Sequence, residues 1–195
     1  MAIEQVTTAI ANLMRTPPTS QQPAPPSVTV SIGAPGSAAS TSDLTLFLYL
    51  IAPDAAQRNQ ERVRPFPSTT LPPQIETQVV RPAVPLELRY LVTPGSDGTG
   101  NSAGLGWLAH AVRVIECASP LSLGEPYFQP AIWLSLLPYE TDELSRIWGL
   151  FPNVNCRSSI IFRAGPVWID PLVNAPVAAP VQSDVARAGR RPEVA

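Results

Sequence analysis

Leu44-Thr45-Leu46-Phe47-Leu48-Tyr49-Leu50-Ile51 is a run in which nearly every side chain is apolar. A strand with one solvated face alternates apolar and polar residues, so a run that is apolar on both faces predicts a strand in the middle of a sheet. Just before it, residues 27–33 alternate between apolar and hydroxyl side chains, which predicts a half-buried strand. Small residues fill positions 34–42 between the two strands, and we expect them to form a hairpin with a long loop.

The patterns on either side of this pair predict three helices and three more strands. Apolar residues at three- and four-residue steps favour helices over 2–15, from Asn101 or Ser102 to about Cys117, and from Thr141, the expected N-cap, to Phe151. Apolar runs favour strands over 86–92, 132–137 and 157–163, the last resuming at 167–169 after a Gly-Pro break. The order α-β-β-loop-β-α-β-α-β predicts an α+β fold: a mainly antiparallel sheet of about five strands with helices on one face.

Proline is unusually abundant, with 24 in 195 residues, against an ordinary share of about 5%. The prolines are grouped, which marks connections and extended arms. Residues 52–83 are punctuated by prolines and show no periodicity, which predicts a Pro-rich insertion without regular structure. Residues 172–195 are dominated by Ala, Pro and Val and predict an extended C-terminal tail. We therefore expect one domain over residues 1–171, which includes the insertion, followed by this tail.

The charge pattern argues against a nucleic-acid partner. Charged residues make up 14% of the chain, against about 25% in an average soluble protein, which suggests that another subunit covers part of the surface. The net charge is −2, and the 13 basic residues, all Arg, form no basic stripe. Three of them, Arg187, Arg190 and Arg191, are grouped in the tail, but three charges are too few for a nucleic-acid site.

The two cysteines and the N-terminus predict a protein of the reducing cytosol. Cys117 and Cys156 lie far apart outside any C-x-x-C pair, so we expect free, buried thiols. Met1-Ala2-Ile3-Glu4 has neither the basic nor the apolar region of a signal peptide. No apolar run approaches the ~20 residues of a membrane-spanning helix.

The residues that carry chemistry are too few and too scattered to predict a reaction, a metal site or a cofactor. Nucleophilic catalysis needs a base beside the nucleophile, and the single histidine, His110, lies next to the apolar stripe of a predicted helix. Gly104-Leu105-Gly106-Trp107-Leu108-Ala109 matches the dinucleotide pattern G-x-G-x-x-[G/A]. That pattern requires its glycines directly after a strand, whereas about eleven residues follow Val92 here. Close packing of the helix against the sheet is the better interpretation of these glycines, and we predict no enzyme activity.

Three stretches, in this order, resemble the signatures of one known family. Leu46-Phe47-Leu48-Tyr49 with Pro53-Asp54-Ala55-Ala56-Gln57-Arg58-Asn59 resembles its LFLY…PN-A-x-RN signature, and Pro85-Leu86-Glu87-Leu88-Arg89-Tyr90-Leu91-Val92-Thr93 resembles its PL-x-L-x-YL-x-T strand. Leu136-Leu137-Pro138 with Glu143-Leu144-Ser145-Arg146-Ile147-Trp148 resembles its L…EELSRLW helix. The family is the N-terminal domain of cap proteins from extracellular contractile injection systems of the antifeeding-prophage and virulence-cassette type. The residues that carry the match are Phe47, Tyr49, Pro53, Arg58, Asn59, Tyr90, Leu144, Arg146 and Trp148.

This resemblance implies a structural protein that forms a hexameric ring on the last layer of an inner tube and its sheath. The ring would stop both polymers at their set length and anchor the sheath during contraction. The implied partners are other copies of the chain, the tube protein and the sheath protein. The implied place of assembly is the bacterial cytoplasm, within a particle that is cytoplasmic, membrane-docked or released. Two segments depart from the family pattern, residues 115–121 and 63–83.

The insertion and the tail are interpreted as docking arms for the sheath, the tube or the adjacent copy. Their candidate contact residues are Arg62, Arg64, Arg187, Arg190 and Arg191. Three alternatives stay open at the level of sequence. They are a tail terminator or completion protein of a contractile phage, an enzyme that binds a small ligand at Gly104 and Gly106, and an adaptor that acts as a monomer.

Overall fold

The computed structural model describes residues 2–15, 28–36, 42–60, 62–67, 75–80, 83–95, 102–123 and 131–170, and every structural statement below concerns these residues. The predicted tail, with Arg187, Arg190 and Arg191, lies outside them. Three helices and seven strands follow one another in the order α1 (Ala2–Arg15), β1 (Val30–Ile32), β2 (Leu44–Pro53), β3 (Arg62–Pro67), β4 (Ile75–Val80), β5 (Val84–Pro94), α2 (Ser102–Cys117), β6 (Trp133–Leu136), α3 (Thr141–Trp148) and β7 (Ile160–Ile169).

Five of the strands form one sheet in the order β1-β2-β5-β7-β6, with every neighbouring pair antiparallel except β1 and β2. The predicted α+β class and the mainly antiparallel five-stranded sheet are therefore confirmed. The predicted hairpin between the first two strands is wrong, because β1 and β2 run parallel. Asp43 brings the start of β2 back beside the start of β1, since its Oδ2 accepts hydrogen bonds from both the backbone N–H and the hydroxyl of Thr29, each at 2.8 Å. Alternation predicts a strand but not its direction.

The main core lies between one face of the sheet and helices α1 and α2. The apolar stripe of α1 is buried there, including Val6, Ile10 and Met14. From the sheet, Tyr90 stacks on Phe162 with ring centroids 5.1 Å apart. Burying these side chains supplies the hydrophobic free energy that holds both helices on the sheet, at roughly 25 cal/mol per Å² of apolar surface.

Helix α3 packs against the opposite face of the same sheet. Ile147 and Trp148 are buried there on Leu91 of β5 and Ile161 of β7. The expectation of helices on a single face therefore holds for α1 and α2, whereas α3 differs. The physical reason is that β5 and β7 carry apolar residues on both faces, so both faces need a cover.

Residues 52–83 contain a β-hairpin that the sequence did not predict. Strands β3 and β4 pair antiparallel over six residue pairs, from Arg62 opposite Val80 to Pro67 opposite Ile75. They contact each other but make hardly any contact with another helix or strand of the described chain. Prolines at positions 65 and 67 hid the strand pattern, because proline is normally excluded from strand interiors. We call this hairpin, β3 and β4, the arm.

Three smaller expectations are also corrected. Helix α3 has Glu140 at its N-cap, with no side-chain capping hydrogen bond, so Thr141 is the first helical residue and not the cap. Cys117 and Cys156 are free, as predicted, but both are exposed. Strand β7 is continuous through its Gly165-Pro166 pair, because a register shift against β5 accommodates the extra residues.

Both outer edges of the five-stranded sheet are partly occupied by the chain itself. At the β1 edge, Arg15 donates from Nη2 to the carbonyl of Val30 at 2.6 Å. At the β6 edge, the hydroxyl of Ser119 accepts from the N–H of Leu134 at 3.1 Å. Leu121 forms an isolated bridge with Ile132 on the same side. These contacts occupy some of the backbone groups with which another strand would pair at the two edges.

Candidate docking surfaces

Four of the nine family-motif residues meet in the small core beneath α3. Phe47 and Tyr49 come from β2, and Leu144 and Trp148 come from α3, although about a hundred residues separate the two motifs. Phe151 joins them through edge contacts, with its ring centroid 5.1 Å from that of Phe47 and 6.0 Å from that of Trp148. These motif residues hold α3 on the sheet, and they act through packing.

Tyr90, the fifth motif residue, belongs to the main core on the other face. It is fully buried, and its hydroxyl lies 2.9 Å from the hydroxyl of Thr7 on α1. Burial raises the pKa of Tyr90 to about 12, against a smaller opposing effect of this hydrogen bond. The phenol therefore stays neutral and links α1 to the centre of the sheet.

The remaining motif residues lie on the surface. Pro53 ends β2, and Arg58 and Asn59 follow in the turn over residues 54–60. Asp54 shapes this turn, because its Oδ1 accepts from the N–H of Ala56 at 3.0 Å. Arg146 is exposed on α3.

An ion-pair row crosses the α3 face of the sheet below the small core. Glu87 accepts hydrogen bonds from Nε of Arg89 at 2.7 Å and from Nη1 of Arg163 at 3.4 Å. Partial burial opposes ionisation of the carboxyl, but the two guanidinium groups outweigh it and hold the pKa of Glu87 below its usual value. Burial and then the negative charge of Glu143 raise the pKa of Tyr49 beside this row.

Around this row, several side chains on the α3 face remain exposed and are not covered by the described helices. The strand register places Leu50, Arg89, Arg163 and Ser135 side by side across β2, β5, β7 and β6. Apolar side chains lie at the two sides of the row: Leu50 is 38% exposed and Trp133 is 56% exposed. We call this surface, made of Leu50, Glu87, Arg89, Trp133, Ser135 and Arg163, the open half-face. Exposed Trp and Arg around a partly desolvated ion pair are the composition of protein–protein contact sites.

The hairpin arm is the second candidate surface. It contains Arg62 and Arg64, which occupy the first and third positions of β3. An isolated two-stranded hairpin is at best marginally stable in water, so an arm that barely contacts the body needs a further partner strand or surface.

His110, the single histidine, and Gly106, in the dinucleotide-like pattern, are the residues that the sequence raised as candidates for catalysis or ligand binding. His110 is buried between α2 and α1, with its Nε2 2.9 Å from the carbonyl oxygen of Met14. Gly106 is exposed, and a Cβ added to it would have nothing within 4 Å, so the close-packing interpretation is wrong for this glycine. No three His, Cys, Asp or Glu side chains within the described ranges lie close enough to hold a metal ion. None of the helices that the structure describes is long and apolar enough to cross a membrane.

Sequence reasoning missed Trp133 and the ion-pair row, which no family motif marks as a surface. A signal was present for the row. Glu87, Arg89 and Arg163 occupy the polar positions of two strands whose other residues are apolar on both faces, and charges at such positions indicate a solvated or docking surface. The sequence also contains a partial signal for strand β3, because the first four residues alternate: Arg62 and Arg64 are charged, and Val63 and Pro65 are apolar.

Comparison with known proteins agrees with this architecture. The family model of the Pvc16 N-terminal domain matches residues 5–183. The fold is similar to the cryo-EM structure of the PVC sheath/tube terminator of an extracellular contractile injection system in its extended state, with a TM-score of 0.64 and 15% identity over 99% of this chain. It is also similar to the anti-feeding prophage tube terminating cap, with a TM-score of 0.61 and 16% identity over 92% of this chain.

The chain covers 65% and 59% of the length of these two structures, which is less than two thirds of either. No curated protein sequence matches it. The family match extends over most of the chain and includes all three motifs identified in the sequence, so the resemblance is confirmed. The chain belongs to the Pvc16 N-terminal domain family.

Proposed function

We propose that this protein is a structural cap, which terminates the tube and sheath of an extracellular contractile injection system and anchors the sheath when it contracts. The observation that carries this proposal is the family match, supported by a fold that is similar along nearly the whole chain to two tube or sheath terminators. Such a cap acts by binding its partners in a fixed geometry, and this proposal assigns no role to a catalytic residue or a cofactor.

The partners in this proposal are the tube protein, the sheath protein and further copies of the chain. Copies arranged as a ring of six would match six-fold tube and sheath layers. A low share of charged residues, 14%, fits a subunit whose surface is covered in the assembly. The subunit would be assembled in the bacterial cytoplasm as part of an injection particle.

The open half-face is the proposed contact of the body with a neighbouring subunit. Trp133 and Leu50 offer apolar area that a partner can cover, and Arg89 and Arg163 offer hydrogen-bond donors beside it. Arg89 and Arg163 stay partly solvated, at 35% and 51% exposed, so their pairing with Glu87 is better suited to recognition than to folding.

The insertion and the tail are the proposed docking arms. In this proposal Arg62 and Arg64 contact the tube, the sheath or the next copy from the hairpin, and Arg187, Arg190 and Arg191 do so from the tail over 172–195. Arg offers a planar set of donors that pairs well with carboxylates on a partner surface. The rest of the domain over residues 1–171, which we call the body, positions these arms.

The test is electron microscopy of particles from a strain that lacks the gene for this chain. We expect tubes and sheaths of uncontrolled length, or particles that come apart at one end, because nothing stops the polymers there. Supplying the full chain from a plasmid should restore uniform length. Particles of normal length and integrity without the protein would contradict the proposal.

A further inference from the structure

Helix α3 belongs to a segment that crosses the strands of the sheet. Just before the helix, the N–H of Leu137 donates to the carbonyl of Ile161 on β7 at 2.9 Å. Just after it, Phe151 packs edge-on against Phe47 of β2, with ring centroids 5.1 Å apart. Because β5 lies between β7 and β2, the segment passes over β5 on its way from β7 to β2.

The open half-face lies beside α3 and runs in the same direction. Its row of Leu50, Arg89 and Arg163 also crosses from β2 through β5 to β7. On β5 and β7, Arg89 and Arg163 lie two residues, or about 7 Å, from Leu91 and Ile161 beneath the helix. This face of the sheet therefore has two neighbouring parts, one raised by α3 and one not.

The two parts carry opposite net charge. The side chains at the start of α3, Glu140, Asp142 and Glu143, are acidic, and Arg146 follows them in the helix, all four exposed. None of the three acidic side chains forms an ion pair with another residue in the described ranges. The net charge of this helix surface is −2. The open half-face combines Glu87 with its two arginines and has a net charge of +1.

The charged and apolar side chains of the two parts follow the same order. Along α3, the acidic turn is at the β7 end, and Leu150, which is 64% exposed, follows the helix at the β2 end. In the open half-face, Arg163 lies on β7, and Leu50, which is 38% exposed, lies on β2. Eight helical residues from Asp142 to Leu150 rise about 12 Å, and the two strand spacings between Arg163 and Leu50 are about 10 Å.

A two-fold axis that runs across the strands exchanges the two parts. It turns a second copy over so that the two sheets face each other, and it keeps the direction from β7 to β2. The α3 helix of the second copy then lies over the open half-face of the first, with its acidic turn towards Arg163 and its Leu150 towards Leu50. Because such a contact is self-complementary, each of these pairs occurs twice.

We propose that the open half-face of the free protein binds α3 of a second copy, in a two-fold dimer. Asp142 of each copy faces Arg163 of the other, and Leu150 faces Leu50. The acidic turn supplies carboxylates to guanidinium groups that are already held side by side by Glu87. The two exposed leucines cover each other, which removes apolar surface from water.

This inference deepens the proposed function and rests on it in one respect, the assignment of the open half-face as a contact surface. It names the partner of that surface before assembly. Since a neighbour in the particle would use the same surface, the dimer must open when the subunit is incorporated. The tests below use purified protein, so their failure would overturn the dimer and leave the particle test of the cap unaffected.

Sedimentation of the purified full chain over a range of concentrations tests the dimer through its charges. We expect Asp142→Arg and Arg163→Glu each to raise the dissociation constant by roughly tenfold or more, because each brings like charges together. The double variant should recover most of the lost affinity, because it restores opposite charges with their places exchanged. Added salt should weaken the dimer, since exposed charges are screened.

Glu116→Arg is the matched control, because it makes the same charge change at an exposed position of α2, on the other face of the sheet. It should leave the dissociation constant unchanged, and thermal unfolding checks that each variant is folded. A protein that stays monomeric up to about 1 mM would overturn the proposal. So would an oligomer whose stability is the same in all of these variants.

Cross-linking tests the apolar contact and the direction of the axis. In a chain with the exposed cysteines replaced, Cys117→Ser and Cys156→Ser, Leu50→Cys and Leu150→Cys are prepared as separate proteins. A short bis-maleimide should link the two proteins efficiently only when they are mixed. Leu105→Cys, at a 60% exposed position on α2, is the control partner. Equal linking of Leu150→Cys to the proteins with Leu50→Cys and Leu105→Cys would contradict the proposed dimer.

Discussion

Tyr90 joins helix α1 to the middle of the sheet through a single buried hydrogen bond. Its hydroxyl donates to the Thr7 hydroxyl, because the Thr7 hydroxyl itself donates to the carbonyl of Ile3 at 2.8 Å. The two ends of this bond are therefore unequal. Thr7 keeps a partner when Tyr90 loses its oxygen, whereas Tyr90 has none when Thr7 loses its own.

Removing either hydroxyl should expose that asymmetry. We expect Tyr90→Phe to lower the free energy of unfolding by about 1 kcal/mol, and Thr7→Val to lower it by about 1–3 kcal/mol, because the second change leaves a buried phenol unsatisfied. The double variant should cost less than the sum of the two. Urea unfolding of the four proteins measures these values, and strictly additive losses would show that the bond contributes nothing.

The same tyrosine predicts an alkaline limit to stability. The pKa of Tyr90 is raised from an ordinary 10 to about 12, so between these values the unfolded chain releases a proton that the folded chain keeps. Stability should therefore be unaffected below pH 10 and fall by about 2–3 kcal/mol as the pH rises to 12. Tyr90→Phe should show a smaller fall, though not a flat profile, because the pKa of Tyr49 is raised as well. Identical pH profiles for the two proteins would contradict this prediction.

A change at Trp133 should separate folding from the proposed assembly. Because its side chain is 56% exposed, Trp133→Ser should change the free energy of unfolding by no more than about 0.5 kcal/mol. The same change should reduce the fraction of capped particles in a complemented deletion strain, since the open half-face loses its largest apolar group. Leu105→Ser, at a 60% exposed position on α2, is the control. Equal losses of capping from both variants would argue against a specific contact at Trp133.

At the scale of elements, α3 depends on the packing of its buried side chains, Ile147 and Trp148, on the sheet. It has only eight residues, too few to be stable alone, and it lacks a side-chain N-cap. Trp148 is 5% exposed and packs on Leu91 and Ile161, whereas Leu150, just beyond the helix, is 64% exposed. Packing, rather than helix propensity, therefore keeps α3 in place.

Truncating Trp148 should detach the helix from the sheet. We expect Trp148→Ala to lower the free energy of unfolding by about 3–5 kcal/mol, because it leaves a large cavity beneath α3. Leu150→Ala should be close to neutral. Chemical denaturation gives both values, and a loss below about 1 kcal/mol for Trp148→Ala would contradict the role of this side chain.

Helices and strands with a strong hydrophobic period could be predicted from the sequence, but the way they pair and pack against one another could not. The stripe of Val6, Ile10 and Met14 gives α1 over the same residues in prediction and structure. The direction of β1 depends on the Asp43–Thr29 hydrogen bonds, which join positions fourteen residues apart and leave no periodic signal. The strands of the hairpin were hidden because Pro65 and Pro67 break the usual composition of a strand, although they occupy positions that donate no ladder hydrogen bond.

At the scale of the whole molecule, the body and the arm are separable. Both described core clusters are built from side chains of the body, and in Cα positions the strands of the hairpin lie close to few residues of its described helices and strands. Of the two candidate surfaces, the insertion with Arg62 and Arg64 was named from the sequence, whereas the open half-face was not. Phe47 and Trp148 lie in one cluster because α3 packs on the second face of the sheet. Since α3 has only eight residues, it leaves the open half-face uncovered.

This separation predicts that the arm can be removed without unfolding the body. The N–H of Asp54 donates to the carbonyl of Pro85 at 2.9 Å, so residues 55–84 can be replaced by Asn-Gly, the dipeptide of a two-residue hairpin turn. We expect a cooperative thermal transition within a few degrees of that of the full chain, and loss of particle capping. Normal capping by this variant would show that the insertion is not a docking arm.

The two occupied sheet edges also bear on what happens before assembly. In the proposed function, a subunit that waits in a crowded cell for its polymer to finish risks stacking with identical copies into amyloid-like fibrils, and open strand edges are where such stacking begins. Arg15 on the Val30 carbonyl and Ser119 on the Leu134 amide oppose this at the two sides of the body. Arg15→Ala combined with Ser119→Ala should therefore shorten the shelf life of the concentrated, unassembled protein, even where its fold is unchanged.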